Sequence, residues 1–168
     1  KLHLWPDAHP QEERTYRLPL IGAHQADNAA VAVALIQQLR EQGWSISPHA
    51  ISRGLQTVQW PARCQILEGE PTVMLDCAHN RASAKALAET LQDYFPGVPQ
   101  VFVFGAMYDK DVFGMFAELL PGCSSAIMTT TNAPRAMHPR DLVQVAEKYD
   151  CLVSESMDIL GAVNQAKI

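Results

Sequence analysis

The spacing of hydrophobic positions changes repeatedly along the chain, and each change marks an element. From Thr15 to Leu20 the pattern reads as a strand, and "GAHQADNAAVAVALIQQLREQG" then predicts a long helix closed by Gly43, with Asp27 and Asn28 at its start. "SPHAISRGLQTV" predicts a shorter helix, with Ser47 as N-cap and Pro48 at the first helical position. Trp60-Pro61 breaks the pattern, and a domain boundary is expected there. Beyond it, "RCQILEG" and "TVMLDCA" flank Glu68-Gly69-Glu70-Pro71, as the arms of a hairpin do. Helix and strand then alternate: a helix from Ala82 to Tyr94, strand "QVFVFGA", a helix from Asp111 to Leu119, strand "SAIMTT", a helix from Arg140 to Tyr149, strand "CLVSE" and a last helix from about Ser156. This alternation predicts an α/β fold, with a Rossmann-like, mostly parallel sheet carrying helices on both faces.

One stretch, "TVMLDCAHNRASAKALAETL", points to a site. Its apolar run stops at Asp76, passes through small residues, presents His79 and Asn80, and becomes a helix with Ala84, Leu87, Ala88 and Leu91 on one face. Strand, turn and helix in that order are expected to put the polar turn at the carboxyl edge of a sheet. Open α/β folds bind ligands there, and a helix N-terminus favours negative charge.

Composition narrows the partners. With 168 residues, 48% of them hydrophobic and 18% charged, the chain can bury one ordinary core. A net charge of -5 and a pI near 5.6 give no broad basic field for a nucleic-acid backbone, while small anions can still bind locally. No apolar run reaches the ~18 residues that a membrane-spanning helix needs. The four cysteines are widely spaced without a CxxC pair, which predicts reduced, buried thiols and a cytoplasmic protein. No set of residues has the spacing of a metal site. The opening lacks Met and starts within a strand-like pattern, and the last helix stops abruptly at Ile168, so a piece of a longer protein is expected.

Four motifs, "IGAHQADNAAVAVAL", "WPARCQ", "LDCAHN" and "FGAMYDKDV", in this order and spacing, resemble the folylpolyglutamate synthase and dihydrofolate synthase family, a branch of the Mur ligases. The resemblance spans nearly the whole chain. It implies that residues 1–60 are the tail of a central ATP-binding domain and that residues 61–168 are a Mur ligase C-terminal domain, truncated at its end.

The resemblance also assigns residues. Asn28, in a Gly-x-His-Gln-x-x-Asn-Ala pattern, would contact the adenine of ATP, whose edge a carboxamide can match as donor and acceptor; taken alone, an Asn there reads as a helix cap. Arg63, in Pro61-Ala62-Arg63 where the family has Pro-Gly-Arg, would reach an ATP phosphate with its guanidinium fork. Alanine in place of that glycine is strained if the backbone needs a positive φ. Asp76 would bind the ribose hydroxyls, and His79 and Asn80 would sit near the transferred phosphate and the incoming amino acid. The usual family string is Asp-Gly-Ala-His-Asn-Pro, so Cys77 and Arg81 are departures, the second adding a cation. In "DKD", Lys110 could steer a phosphate or a glutamate carboxylate, while Asp111 alone reads as an N-cap. In "TTTNAPRAMHP", Arg135 is a residue at the edge of the site; His49 and His138 read as surface groups.

The family joins L-glutamate to the carboxylate of a folate or dihydropteroate. ATP first forms an acyl phosphate, which the glutamate amine then attacks. Such phosphoryl transfer needs a phosphate-cradling loop, Mg²⁺ and cations. The sequence contains no GxxxxGK[ST] stretch, and the family's Mg²⁺ ligands are expected upstream of residue 1. The expectation is therefore a ligase lobe that is inactive alone and works with the ATPase domain of the same parent chain. Two alternatives stay open: a Mur-type ligase of cell-wall synthesis, against which Gln25 and Asn80 speak, and a stand-alone nucleotide-binding module.

Overall fold

A computed structural model describes residues 2–4 and 14–167. Most of the opening segment and Ile168, on which the expectations about the chain ends bear, lie outside the described residues. The chain divides into two compact units, Lys1–Asp76 and Cys77–Ile168, each described here by itself.

In the first unit, β1 (Leu2–Leu4) pairs antiparallel with β2 (Arg14–Tyr16). The strand expected to continue to Leu20 stops at Tyr16. Helix α1 (Ala23–Glu41) begins before Asp27 and Asn28, because its N-cap is Gly22 at φ 101, a conformation that glycine adopts without a Cβ penalty. Helix α2 (Pro48–Thr57) starts as the sequence predicts, with Ser47 Oγ accepting from the Ala50 amide at 3.1 Å. Tyr16, Val33 and Ile51 form the buried centre, with Ile36, Ile46 and Leu55 packed around them. Another face of α1 leaves Val31, Leu35 and Leu39 exposed at a spacing of four.

The hairpin follows. Strands β3 (Gln65–Leu67) and β4 (Val73–Leu75) are antiparallel, with Ile66 opposite Met74. The reading of "TVMLDCA" as a hairpin arm holds. Its reading as a parallel-sheet strand ending at the carboxyl edge does not, because β4 is only three residues long and ladders only with β3. Ahead of β3 the backbone turns through Ala62 at φ 54 and Cys64 at φ 45. Two non-glycine residues in the left-handed region cost about 1–2 kcal/mol each. Two hydrogen bonds hold the turn: the Ala62 amide donates to Gln65 Oε1 at 3.0 Å, and the Cys64 amide to Asp76 Oδ2 at 2.8 Å.

The second unit is built on a parallel sheet in the order β5 (Val101–Phe104), β6 (Ser125–Met128), β7 (Leu152–Glu155). Helices α3 (Arg81–Tyr94), α4 (Val112–Leu119), α5 (Pro139–Ala146) and α6 (Ile159–Ala166) complete it. Phe102, Phe104, Ala126, Met128 and Val153 turn to one face and share a core with Phe116, Met115, Leu120 and Leu142 from the α4 and α5 side. The Phe104 and Phe116 rings meet edge to face at 4.8 Å. Helix α3 lies against α4, whereas α6 covers β5 and β6. Strand alternation gives Val103 and Ile127 to that opposite face. The expected α/β architecture, with helices on both faces, is the one observed.

Side-chain caps start the later helices. Asp111 Oδ1 accepts from the Gly114 amide, and Asp158 Oδ1 from the Gly161 amide. Helix α5 is capped by His138, which is exposed as expected of a surface group and whose Nδ1 accepts from the Arg140 amide at 3.2 Å. Asn80 caps α3 in a reciprocal box, its Oδ1 accepting from the Ser83 amide at 2.9 Å while Ser83 Oγ accepts from the Asn80 amide.

The cysteines correct an expectation. Cys123 and Cys151 form a disulfide, while Cys64 is buried and Cys77 exposed, neither in a disulfide. Parallel pairing of Ser125 with Leu152 brings the entrances of β6 and β7 together, with the two cysteine Cα atoms 6.0 Å apart. That proximity is a property of register, which cysteine spacing does not reveal.

Two stability measurements follow. Replacing Ala62 with Gly relieves a left-handed alanine, so the urea midpoint should rise by the equivalent of about 1 kcal/mol. Asn80→Asp keeps the accepting oxygen and should leave the midpoint nearly unchanged, whereas Asn80→Ala removes the cap and should cost about 1 kcal/mol. Equal losses in the two Asn80 variants would contradict the capping geometry.

Candidate functional site

In the first unit, Asn28 lies on the exposed side of α1, more than a turn past the cap. Capping therefore does not account for it. Gln25, which is buried, links to His24 Nε2 at 2.8 Å, and the Asn28 carboxamide reaches Gln25 Oε1 only at 3.5 Å. An exposed carboxamide with one long contact can still turn toward a ligand that offers a donor and an acceptor.

Arg63 stands between the two left-handed residues, Ala62 and Cys64. Its guanidinium carbon lies 5.9 Å from the Trp60 ring centre, a cation-π distance. It also lines a cavity of about 460 Å³ whose other walls include Leu20, Ile21, Trp60 and Ile66. An apolar cleft with one fixed cation suits a ligand that carries both a flat apolar part and an anion. Asp76 is coupled to this turn, because its Oδ2 accepts from the amide of Cys64 and lies 3.4 Å from the Cys64 sulfur. The structure thus brings Arg63 and Asp76 to the two sides of one strained turn. Strain held by specific hydrogen bonds is a common mark of a functional position.

In the second unit, His79 and Asn80 form the turn that enters α3, both exposed. His79 Nδ1 is 3.0 Å from the Cys77 carbonyl. A carbonyl can only accept, so that nitrogen carries the proton and Nε2 faces outward as the basic atom. Asn80 uses Oδ1 for capping, which leaves its Nδ2 as the group that can donate to a ligand. The next residue, Arg81, donates through Nε to Glu118 Oε1 at 2.8 Å, tying the start of α3 to the end of α4. The hydrogen bond and charge of Glu118 raise the Arg81 pKa above its ordinary value.

Lys110 stands at a different place, the carboxyl edge beyond β5. The loops after β5 and β6 meet there: Met107 bridges to Ala136, the Tyr108 amide donates to the Arg135 carbonyl at 2.9 Å, and the Met137 amide donates to the Ala106 carbonyl at 2.8 Å. Tyr108 Oη donates to Asp141 Oδ2 at 2.8 Å. On this backbone pairing, Asp109 carries two cations, Lys110 Nζ on Oδ2 and Arg135 Nη1 on Oδ1, each at 3.2 Å. The hydrogen bond from Lys110 is the main reason that the Asp109 carboxyl titrates below its ordinary value, with a smaller part from the Arg135 charge. Just past the end of β6, Thr129 is buried and its Oγ1 has no hydrogen-bond partner, which a water or a ligand atom could supply.

The sequence points to Lys110 and Arg135 but not to what holds them, the Asp109 carboxylate and the Tyr108 backbone amide. The "DKD" run shows the charges, but which loop pairs with which is a matter of strand order. Among the described residues, no three His, Cys, Asp or Glu side chains gather to hold a metal ion. No helix among the described residues is long and apolar enough to cross a membrane.

Comparison with known proteins follows the same lines. Residues 62–167 match the family model described as "Mur ligase, glutamate ligase domain". A probable bifunctional folylpolyglutamate synthase/dihydropteroate synthase of Haloferax volcanii is 40% identical over 134 residues, covering 80% of this chain and 15% of that protein. The dihydrofolate synthase/folylpolyglutamate synthase of Bacillus subtilis is 32% identical over 88% of this chain and 35% of its own length. Among solved structures, the folylpolyglutamate synthase of Mycobacterium tuberculosis complexed with ADP and AMPPCP superposes with a TM-score of 0.81 at 35% identity, covering 89% of this chain and 34% of that one. The chain thus spans little more than a third, at most, of these relatives. It belongs to the Mur ligase family, as a glutamate ligase domain of the folylpolyglutamate and dihydrofolate synthase type.

Proposed function

We propose that this chain is the carboxy-terminal lobe of an ATP-dependent ligase that adds L-glutamate to the carboxylate of a folate or a dihydropteroate through an acyl phosphate, and that it does not turn over alone. The observation that carries the reading is the glutamate ligase match over residues 62–167, in a chain without a GxxxxGK[ST] stretch. On this reading residues 1–60 are the tail of the central ATPase domain of the same parent chain and residues 61–168 belong to the C-terminal domain. The exposed stripe of Val31, Leu35 and Leu39 on α1 supports it, since such a face suits burial against further protein. A cytoplasmic location belongs to the same proposal.

The chain's own residues divide the work. Asn28 would read the adenine edge, Arg63 would neutralise phosphate charge, and Asp76 would accept from ribose hydroxyls. His79 Nε2 would take a proton as the glutamate amine attacks, and Asn80 Nδ2 would donate to an oxygen of a substrate. Lys110 would offer an ammonium to a phosphate or to the glutamate carboxylate. Positioning and charge neutralisation are the main contributions a protein makes to such a transfer. Mg²⁺ ligands are expected outside residues 1–168, and the ion would supply neutralisation of phosphate charge. Closure of the lobe onto its ATPase domain would bring His79 and Lys110 to the reacting groups.

The test is ADP release by the complete ligase with ATP and Mg²⁺. Release should require L-glutamate together with dihydropteroate or tetrahydrofolate. Asp76→Asn keeps an acceptor for the Cys64 amide, so it should fold normally yet lose about tenfold or more in kcat/KM for ATP, in the range of a lost charged hydrogen bond. Release that ignores both folate substrates but responds to a cell-wall precursor would favour a Mur-type ligase. Binding of ATP without any ligation would favour a stand-alone module.

A further inference from the structure

The Asp109 carboxylate is shared by two cations, one on each oxygen, and this sharing controls how much charge Lys110 can offer. With Lys110 and Arg135 both at 3.2 Å, the three groups carry a net charge of about +1. Remove Arg135, and Asp109 and Lys110 neutralise one another. We propose that Arg135 is a positioning residue for Lys110: by occupying Oδ1 of Asp109, it keeps the Lys110 ammonium available to an incoming anionic oxygen group. The inference deepens the ligase reading above and rests on it.

An exposed ion pair is ordinarily a weak and mobile contact, and Arg135 has 74% of its side chain exposed. Here the backbone restrains both partners. The Arg135 carbonyl accepts from the Tyr108 amide, beside Asp109, and the next residue, Ala136, bridges to Met107. Lys110 is restrained as well: its amide donates to the Met107 carbonyl at 3.1 Å, its carbonyl accepts from the Val112 amide at 2.9 Å, and its side chain is only 33% exposed. The cation pair is thus set by the pairing of two loops at the carboxyl edge of the sheet, where open α/β folds bind ligands. Arg135 reaches Asp109 through a single nitrogen, so a lysine there can take over the contact.

Two substrates could supply the anionic oxygen: the carboxylate of glutamate or a phosphate of ATP. Steady-state kinetics of the complete ligase, with each substrate varied in turn, separates them. Arg135→Gln should raise KM for one of the two by about tenfold, in line with the loss of one nearby charge at the protein surface. Its kcat should stay within about twofold, and Arg135→Lys should restore most of the affinity. Tyr108→Phe removes the hydroxyl contacts to Asp141 and to the His138 amide from the same loop platform, keeps every charged group and the Tyr108 backbone amide, and should leave both KM values unchanged. A rise in KM for glutamate assigns Lys110 to the amino acid; a rise in KM for ATP assigns it to phosphate. Unchanged KM values in Arg135→Gln, or equal rises in Arg135→Gln and Tyr108→Phe, would overturn the inference while leaving the ligase reading intact. A wild-type enzyme with no glutamate-dependent turnover would remove both.

Discussion

Parallel pairing of β5, β6 and β7 is the constraint on which the second unit depends. Parallel strands enter at one edge and leave at the other, so the connections after them collect on a single side. The entrance edge gathers Cys123 and Cys151, and the exit edge gathers the loops that hold Lys110, Asp109 and Arg135. The same pairing turns Phe104, Ala126 and Met128 toward Phe116, a core that fixes α4 and, through it, α3. The placement of His79 and Asn80 at the start of α3 therefore rests on apolar packing well away from them.

The first unit solves a different problem. Arg63 is held by a turn that two non-glycine residues make at positive φ, and Asp76 steadies that turn through the Cys64 amide. The carboxylate proposed to meet the ribose thus has a structural duty. A variant that removes both duties at once confuses them, and this is why an amide at position 76 separates binding from folding better than an alanine does.

Much of this was legible in the sequence. Ser47-Pro48 and Asp111 announce their helices because caps and first-turn proline act locally, and the alternation of helix and strand after Tyr94 specifies the sheet because a helical crossover between strands makes them parallel. The doubt over alanine at position 62 was also well placed, since a motif glycine carries a backbone requirement that its substitute must meet. What stayed hidden depends on distant partners. The disulfide and the Asp109 pairings require strand register and order; the caps of Asn80 and His138 require the rotamer to be seen. The stretch read as α1 opens at Gly22, which is its cap, and Asp27 and Asn28 fall a turn inside the helix because glycine offers no side-chain signal at a cap.

The central claim, that this lobe serves a glutamate ligase working through an acyl phosphate, is tested most directly by isotope transfer. The complete ligase would be given ATP, L-glutamate and a folate substrate whose reacting carboxylate carries ¹⁸O in both oxygens, and the released phosphate examined by mass spectrometry. One carboxylate oxygen attacks the γ-phosphorus and leaves with the phosphate when the amine forms the amide. The account predicts one ¹⁸O atom in each phosphate released. Phosphate without label, alongside normal formation of the glutamyl product, would contradict it.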